Sequence, residues 1–228
     1  MDLYNFYKKI EPDFNETTLG WRLHHLKQQG IISVIKKGVY SLTHKLTYSP
    51  PAVEDIQKIH DKIIEKYPLV NFCVWNTRWL NDFMLHQAGR FLLIVETEAD
   101  TTESIFFYLR DNDYKDVYLQ PDEKVMSKYA YQNTETIIVK SLISKSPLQK
   151  INNIAVPKLE KILVDVFCEE AILASFRGNE MKNIFNAAHE KFDINFSILL
   201  TYAGRRGKKN EVIEYMKQHT KIPEKLFI

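Results

Sequence analysis

One continuous apolar run, Phe91-Leu92-Leu93-Ile94-Val95, constrains the fold of this chain more than any other segment. A strand with one face in water alternates polar and apolar residues, whereas an unbroken run is typical of a strand covered on both faces. Strands are predicted around it at 70–75, 91–96, 116–119 and 136–140. Helical stretches alternate with them near 78–86, 102–110 and 121–128. The sequence therefore predicts a small α/β sheet with this run at its centre.

The first 46 residues predict a separate unit. Two segments with helical spacing are followed by two short β-like segments around a basic glycine turn, at 2–10, 17–29, 31–35 and 39–42. Asn15 is a good cap for the second helix and Gly30 a good stop. Helix, turn, helix and hairpin in this order predict a winged helix-turn-helix.

The rest of the chain predicts a second part that begins after the linker Ser49-Pro50-Pro51, where Ser49 also suits a helix cap. From Pro157, which fits a first helical position, the apolar spacing is helical. Glu160 and Asp165 fall off the apolar stripe, which predicts ion pairs with Arg or Lys from the sheet. We therefore expect a mixed α+β chain, with a winged helix-turn-helix at 1–46 and, at 51–228, a small α/β sheet domain (69–156) closed by a C-terminal helical bundle (157–220).

Glycine and cysteine usage excludes several classes of site. The chain has seven glycines, of which only Gly89 and Gly178 lie between 39 and 203. Loops that cradle phosphate need several glycines at fixed spacing, and neither GxGxxG nor GxxxxGK[ST] occurs. Cys73 and Cys168 lack CxxC spacing and the histidines do not repeat at ligand spacing, so we expect no zinc site and no cofactor.

No catalytic residue set is evident, and we expect a chain that is not an enzyme. A serine nucleophile elbow, GxSxG, is absent. A metal-dependent nuclease on the middle sheet stays open as an alternative, because it needs two acids and a lysine near a strand and would use Glu96, Asp122 and Lys124. Pro121 followed by two acids is also the usual first turn of a helix, which is the interpretation we favour.

Charge is unevenly spread along the chain, although the total is only +2. Residues 1–45 carry seven Lys/Arg against four acids, residues 204–228 carry seven against three, and the middle is acidic. Basic ends favour a nucleic-acid partner. The chain has no secretory signal and no apolar run of the roughly 20 residues that a membrane span needs, so we expect a cytoplasmic protein without membrane contact.

Two basic segments supply the candidate nucleic-acid contacts. In a winged helix the second helix enters the major groove while lysines of the wing contact phosphates. Arginine is suited to reading guanine, and threonine to holding a phosphate or a thymine methyl. The predicted DNA-binding residues are Thr17, Thr18, Trp21, Arg22, His25, Lys36 and Lys37. A second basic patch, suited to a phosphate backbone or an acidic partner, consists of Arg205, Arg206, Lys208 and Lys209.

Two segments resemble one known family. The run Leu19-Gly20-Trp21-Arg22-Leu23, continued by Gly30-Ile31-Ile32 and Lys37-Gly38-Val39-Tyr40-Ser41-Leu42, resembles the N-terminal winged helix of the AbiEi-like antitoxins of bacterial type IV toxin–antitoxin (abortive infection) systems. Val156-Pro157-x-x-Glu160-Lys161-Ile162-Leu163-Val164-Asp165 is similar to the helix that opens their C-terminal part.

That resemblance implies a DNA-binding repressor that autoregulates its operon and counteracts a nucleotidyltransferase-type toxin, without catalysis by this chain. Its partners would be double-stranded DNA of its own promoter and the cognate toxin, and a palindromic operator would imply a homodimer. Winged helices of the family usually have a further helix before the one at 2–10, so we expect a truncated or incomplete unit. A protein-interaction module without DNA affinity is the other alternative.

Overall fold

The structure is a computed structural model that describes residues 2–42, 45–51, 54–112, 114–130 and 135–228. Its N-terminal part consists of helices α1 (Leu3–Ile10) and α2 (Glu16–Gln28) and the antiparallel hairpin β1 (Ile32–Lys36) and β2 (Val39–Leu42). Side chains of Asp2 and Asn15 accept backbone N–H bonds at the two helix starts, and Gly38 takes the left-handed turn position at φ +77°. The predicted order of two helices and a hairpin is observed.

The core of this N-terminal part is thin. Within residues 2–42, Phe14 alone is buried, at 5% exposure, and α1 and α2 have no buried residue of their own. The Phe14 ring stacks on Tyr7 with centroids 4.9 Å apart. Because stability follows the apolar surface removed from water, this part depends on a few aromatic contacts around Phe14 and on its attachment to the rest of the chain.

The predicted sheet is present, with the apolar run in a central strand. Its four strands follow the order β3-β4-β6-β5, in which β3 is antiparallel to β4 while β4, β6 and β5 are parallel. The strand bounds are β3 (Phe72–Asn76), β4 (Phe91–Thr97), β5 (Val117–Leu119) and β6 (Glu135–Ser141). Each overlaps the strand predicted for it.

The helices before and between these strands match the predicted helices only in part. Their bounds are α3 (Glu54–Lys66), α4 (Thr102–Asp111) and α5 (Glu123–Lys128). The helix predicted near 78–86 is instead a 3-10 segment, Thr77–Phe83, which the Asn76 side chain caps and which ends where the chain becomes extended at Met84. Ser49 is not the cap of α3, because Pro50 and Pro51, which follow it, are not helical.

A hairpin that the sequence analysis missed follows the sheet. Strands β7 (Leu148–Ile151) and β8 (Ile154–Pro157) pair antiparallel around Asn152 and Asn153, whose φ angles are +49° and +66°. Adjacent asparagines tolerate this left-handed turn, so they were the available signal. Pro157 therefore ends a strand and does not begin a helix, and Lys158, whose N–H donates to the Pro147 carbonyl at 3.0 Å, is the helix cap.

The C-terminal part is helical, as predicted. Its helices are α6 (Leu159–Cys168), α7 (Asn179–Lys191), α8 (Phe196–Arg205) and α9 (Lys209–His219). Eight residues of α6, from Leu159 to Val166, are buried, so this helix lies at the centre of the packing. The architecture is a mixed α+β chain with small sheets and a helical C-terminus. Over the described residues, no helix has the length and apolar character to cross a membrane.

The N-terminal hairpin is fastened to the C-terminal helices. The backbone N–H of Lys37 donates to the Ser197 hydroxyl at 2.9 Å. Leu46 forms a bridge to Phe192, and the nearby Tyr48 is buried against that ring. The chain around the predicted linker is thus packed: Pro50 is buried too. The boundaries proposed between the two parts remain a prediction.

Candidate functional site

The outer face of α2 carries three of the predicted DNA contacts. Thr17, Trp21 and His25 are exposed and follow one another every four residues, which aligns them on one stripe. Trp21 is 72% exposed, a high value for an indole, and meets His24 edge-on. Thr18 is half-buried, and its hydroxyl donates to the Oδ1 of the Asn15 cap at 3.1 Å. The stripe presents ring, hydroxyl and imidazole groups to solvent.

Arg22 forms its contacts within the N-terminal part itself. Its Nη2 donates to both carboxylate oxygens of Glu11 at 2.9 Å. Its guanidinium also lies over the rings of Tyr7 and Phe14, with distances of 4.9 and 5.0 Å to the centroids. The side chain is only 38% exposed. In this arrangement Arg22 clamps α2 to the α1–α2 turn.

The two hairpin lysines differ in their surroundings. Lys36 is half-buried and its Nζ donates to the backbone carbonyl of Ile228. Lys37, at the hairpin tip, has an exposed side chain while its backbone is held by Ser197. Lys37 is therefore the better placed of the two for contact with an external anion.

The second basic patch divides in the same way. Arg206 is half-buried and pairs with Asp165 at 2.8 Å and Glu169 at 2.7 Å. Lys208 and Lys209 are exposed, the former 3.3 Å from Glu211. Arg205 is exposed and donates to the Ser144 carbonyl at 2.8 Å. Three of the four cations thus face outward, and Arg206 belongs to the interior.

That interior contains a buried charge cluster that links sheet and helices. Lys161 of α6 is fully buried, with its Nζ 2.6 Å from Oε1 of Glu96 and 2.5 Å from Oδ2 of Asp165. The indole of Trp75 donates to the same Glu96 oxygen at 2.9 Å. Tyr202 donates its hydroxyl to the other Asp165 oxygen at 2.9 Å. Strands β3 and β4 and helices α6 and α8 are joined through these bonds.

At the edge of the cluster Lys140 completes the charge balance. Its Nζ lies 2.5 Å from Glu169 and 3.9 Å from the second oxygen of Glu96. The buried charge cluster therefore comprises three cations and three carboxylates: Lys140, Lys161, Arg206, Glu96, Asp165 and Glu169. Such a balanced set needs no external ion to offset its buried charge.

The sequence analysis foresaw part of this cluster. Asp165 is ion-paired as expected, but its direct partners Lys161 and Arg206 come from helical segments and not from the sheet. Among the described residues Glu160 forms no ion pair; its carboxylate accepts the backbone N–H of Asn195 at 2.9 Å. Lys161 was not singled out, because a lysine inside an apolar stripe gives no signal of burial.

Opposing influences set the protonation of the cluster. Burial alone would raise the pKa of Asp165, but the charges of Lys161, Lys140 and Arg206 hold it below its ordinary value. Burial would also raise the pKa of Glu169, but the charges of Lys140 and Arg206 hold it below its ordinary value. Burial would lower the pKa of Lys161, yet Asp165 and Glu96 raise it well above its usual value. These three groups are charged at neutral pH.

Acid should weaken the folded state through Asp165 and Glu169. A carboxyl whose folded-state pKa lies below its unfolded value stabilises the fold above that unfolded value and loses this contribution as pH falls through the folded value. We expect the free energy of unfolding, from urea titrations, to fall below about pH 4. Asp165→Asn should make that fall shallower, whereas Asp111→Asn, at an exposed site, should not. Equal profiles for both variants would contradict this assignment.

The residues of the nuclease alternative are not brought into one cleft. Glu96 is fully buried in the charge cluster, while Asp122 lines a separate cleft beside β5. Asp122 accepts the Val125 N–H at 2.8 Å, which confirms the predicted helix start. Within the described ranges, no three His, Cys, Asp or Glu residues converge to hold a metal ion. Burial raises the pKa of the Cys73 thiol, so that thiol is protonated and unreactive.

One groove brings the two predicted basic segments together. It has a volume of about 480 Å³ and lies between the N-terminal hairpin, the turn before β7 and helix α8. Lys37 and Arg205 both line it, although 167 residues separate them in the sequence. Lys145 and Lys158 line it as well. These two were missed, because isolated lysines form no pattern until the fold assembles them.

Comparisons with known proteins give one family and no named relative. The model of a family described as "Family of unknown function (DUF6577)" matches residues 18–222. A search of curated proteins finds no match. The matched segment begins within α2 and runs to the end of the helical C-terminal part, so it includes the groove and the buried charge cluster.

Proposed function

We propose a DNA-binding regulatory function for this chain, which belongs to the family of unknown function DUF6577. The observation that carries the proposal is the exposed stripe Thr17, Trp21 and His25 on α2, directly followed in the chain by a hairpin with Lys37 at its tip. A helix with exposed hydrogen-bonding side chains followed by a basic hairpin is the arrangement with which winged helices enter the major groove and contact phosphate.

In this proposal the N-terminal part is a winged helix-turn-helix with α2 as its recognition helix. Trp21 and His25 approach base edges, Thr17 holds a phosphate, and Lys37 contacts the backbone from the wing. Arg22 supports the unit through Glu11 and the aromatic rings, which positions α2 for this contact. The DNA-binding experiment described below also tests whether two helices and a hairpin are sufficient for DNA affinity.

The sequence resemblance to AbiEi-like antitoxins supports a more specific role. We propose that the chain represses its own operon in the bacterial cytoplasm and, through its sheet and helical part, counteracts a nucleotidyltransferase-type toxin. The helix that carries the resembling segment, α6, is almost wholly buried. Its part in this role is to organise the fold, so a toxin would contact the surface around it. The chain itself is proposed to perform no catalysis.

Fluorescence anisotropy against the DNA upstream of its operon tests the proposal. Trp21→Ala should weaken specific binding by about tenfold or more, since a good base contact contributes about 1–3 kcal/mol of discrimination. Lys37→Ala should weaken binding to all sequences and reduce the slope of log affinity against log salt by about one unit.

Two matched controls lie outside the N-terminal part. Leu69→Ala removes an apolar side chain that is 92% exposed, and Lys58→Ala removes an exposed lysine of α3. Both should bind DNA like the unmodified protein. If Trp21→Ala and Lys37→Ala also bind unchanged, or if operator and random DNA bind equally, the DNA-binding proposal is wrong.

A second candidate, a docking module for another protein, has its own supporting observation. Phe6 and Ile10 on α1 are 43% and 63% exposed, so α1 displays apolar side chains to solvent. Exposed apolar surface of this kind is typical of protein interaction sites. This candidate predicts that Ile10→Ser abolishes copurification of a partner encoded beside the chain and leaves DNA binding unchanged.

A further inference from the structure

Four cations converge on the groove between the hairpin and α8, with no acid among its lining residues. They come from four separate segments of the chain: Lys37, Lys145, Lys158 and Arg205. In the described parts of the chain none of them forms a salt bridge with a carboxylate. Converging like charges repel one another, so their positive field makes the groove attractive to an anion of high charge.

The remaining lining supplies hydroxyl groups and apolar surface. Thr201 and Ser197 follow each other along α8, and Ser146 lies in the turn before β7. Ile198 and Leu148 add apolar walls. Small-molecule sites combine such a mostly apolar wall with a few polar groups, in volumes of about 300–1,000 Å³, and the 480 Å³ of this groove lies within that range.

The floor of the groove is rigid. Tyr202 lines it from below and is almost fully buried, and its hydroxyl donates to Asp165 of the buried charge cluster at 2.9 Å. Arg205 is held by the Ser144 carbonyl at 2.8 Å. Arg205 and the Tyr202 floor are thus held by hydrogen bonds, which lowers the entropy lost when a ligand binds.

We propose that this groove binds a small ligand with two or more phosphate groups, of the nucleoside polyphosphate class. The phosphates would lie among Lys145, Lys158 and Arg205, with Lys37 contacting them from the hairpin. A double-stranded DNA backbone offers the same phosphate chemistry, but the groove is bounded by the hairpin on one side and α8 on the other. The groove shares Lys37 with the proposed DNA interface but does not include the exposed stripe of α2, and it would take a different class of ligand, so this proposal goes beyond the proposed DNA binding.

Isothermal titration calorimetry on the full chain tests it with three probes: ATP, sodium tripolyphosphate and a random DNA duplex. We expect saturable binding of ATP and tripolyphosphate at one site, and a higher melting temperature in their presence, because a ligand that binds only the folded state stabilises it. The double variant Lys145→Asn with Lys158→Gln should weaken ATP binding by about tenfold or more. Asparagine suits residue 145, whose φ is +54°.

The matched control removes the same charge outside the groove. Lys208→Gln with Lys209→Gln alters two exposed lysines at the start of α9, and ATP binding should stay within about twofold. Thr201→Glu is the second variant to use if the first one folds poorly. It places a negative charge in the groove at an exposed position of α8, so it should also abolish ATP binding.

Three results would overturn the proposal. They are the absence of saturable binding of either small probe, an equal loss of ATP binding in the two double variants, and competition for the groove by the duplex but by neither small probe. Trp21→Ala separates this proposal from the previous one. It should retain ATP binding even though it is expected to lose DNA binding, so failure of one proposal leaves the other standing.

Discussion

Replacing Lys161 by methionine should lower the free energy of unfolding by about 3–5 kcal/mol, because it leaves buried carboxylates without their nearest cation. Lys161 lies 2.6 Å from Glu96, and both side chains are completely buried. The next cation, Lys140, is 3.9 Å from Glu96. Urea unfolding followed by tryptophan fluorescence measures the change; Trp75, which bonds the same carboxylate, contributes to that signal together with Trp21 and Trp79.

Two further variants separate charge from packing. Lys182→Met, on the exposed side of α7, should change stability by no more than about 0.5 kcal/mol. Adding Glu96→Gln to Lys161→Met removes the uncompensated charge while keeping an acceptor for Trp75, so the double variant should be more stable than Lys161→Met alone. A loss below about 1 kcal/mol for Lys161→Met would mean that water reaches the buried charge cluster.

Replacing Phe14 by alanine should open the N-terminal part while the rest of the chain stays folded. Truncation of a buried phenylalanine costs about 3–5 kcal/mol, and residues 2–42 have no second buried side chain to compensate. The change also removes a ring that Tyr7 and Arg22 contact. Hydrogen exchange should show lost protection in α1 and α2 and unchanged protection in β4 and α6.

Phe107→Ala is the control for this experiment, since that ring is 54% exposed on α4 and should leave all exchange rates unchanged. If Phe14→Ala instead lowers protection throughout the chain, the N-terminal part and the body unfold as one cooperative unit. If it changes no protection at all, Phe14 does not hold the two helices together.

Much of the fold could be predicted, because its strongest local patterns agree with the final packing. The run Phe91–Val95 lies in a central strand, Asn15 caps the helix predicted after it, and the helix predicted at 121–128 is present with Asp122 as its cap. The β7–β8 hairpin was missed because the helical interpretation of Pro157 competed with the turn signal of Asn152-Asn153. A proline can end a strand as readily as it begins a helix, and only the pairing partner decides between the two.

The candidate sites were less accessible to sequence reasoning. Trp21 and Lys37 were found because a helix face and a hairpin tip are local properties. The groove joins residues from 37 to 205, and the buried charge cluster joins residues from 96 to 206, so neither leaves a local pattern. Arg22 and Arg206 look like free cations in the sequence, yet Arg22 is paired with Glu11 at the surface and Arg206 with Asp165 inside the fold.

The charge balance of the buried cluster also limits how α6 can be arranged in the fold. A rotation of this helix by one residue, about 100°, would separate Lys161 from Glu96 and Asp165 from Arg206, and so break two ion pairs of the cluster. An all-apolar helix in the same place would suffer a much smaller penalty for that slip. The cluster therefore fixes the rotation of α6 about its axis, because alternative packings of the core would be less stable.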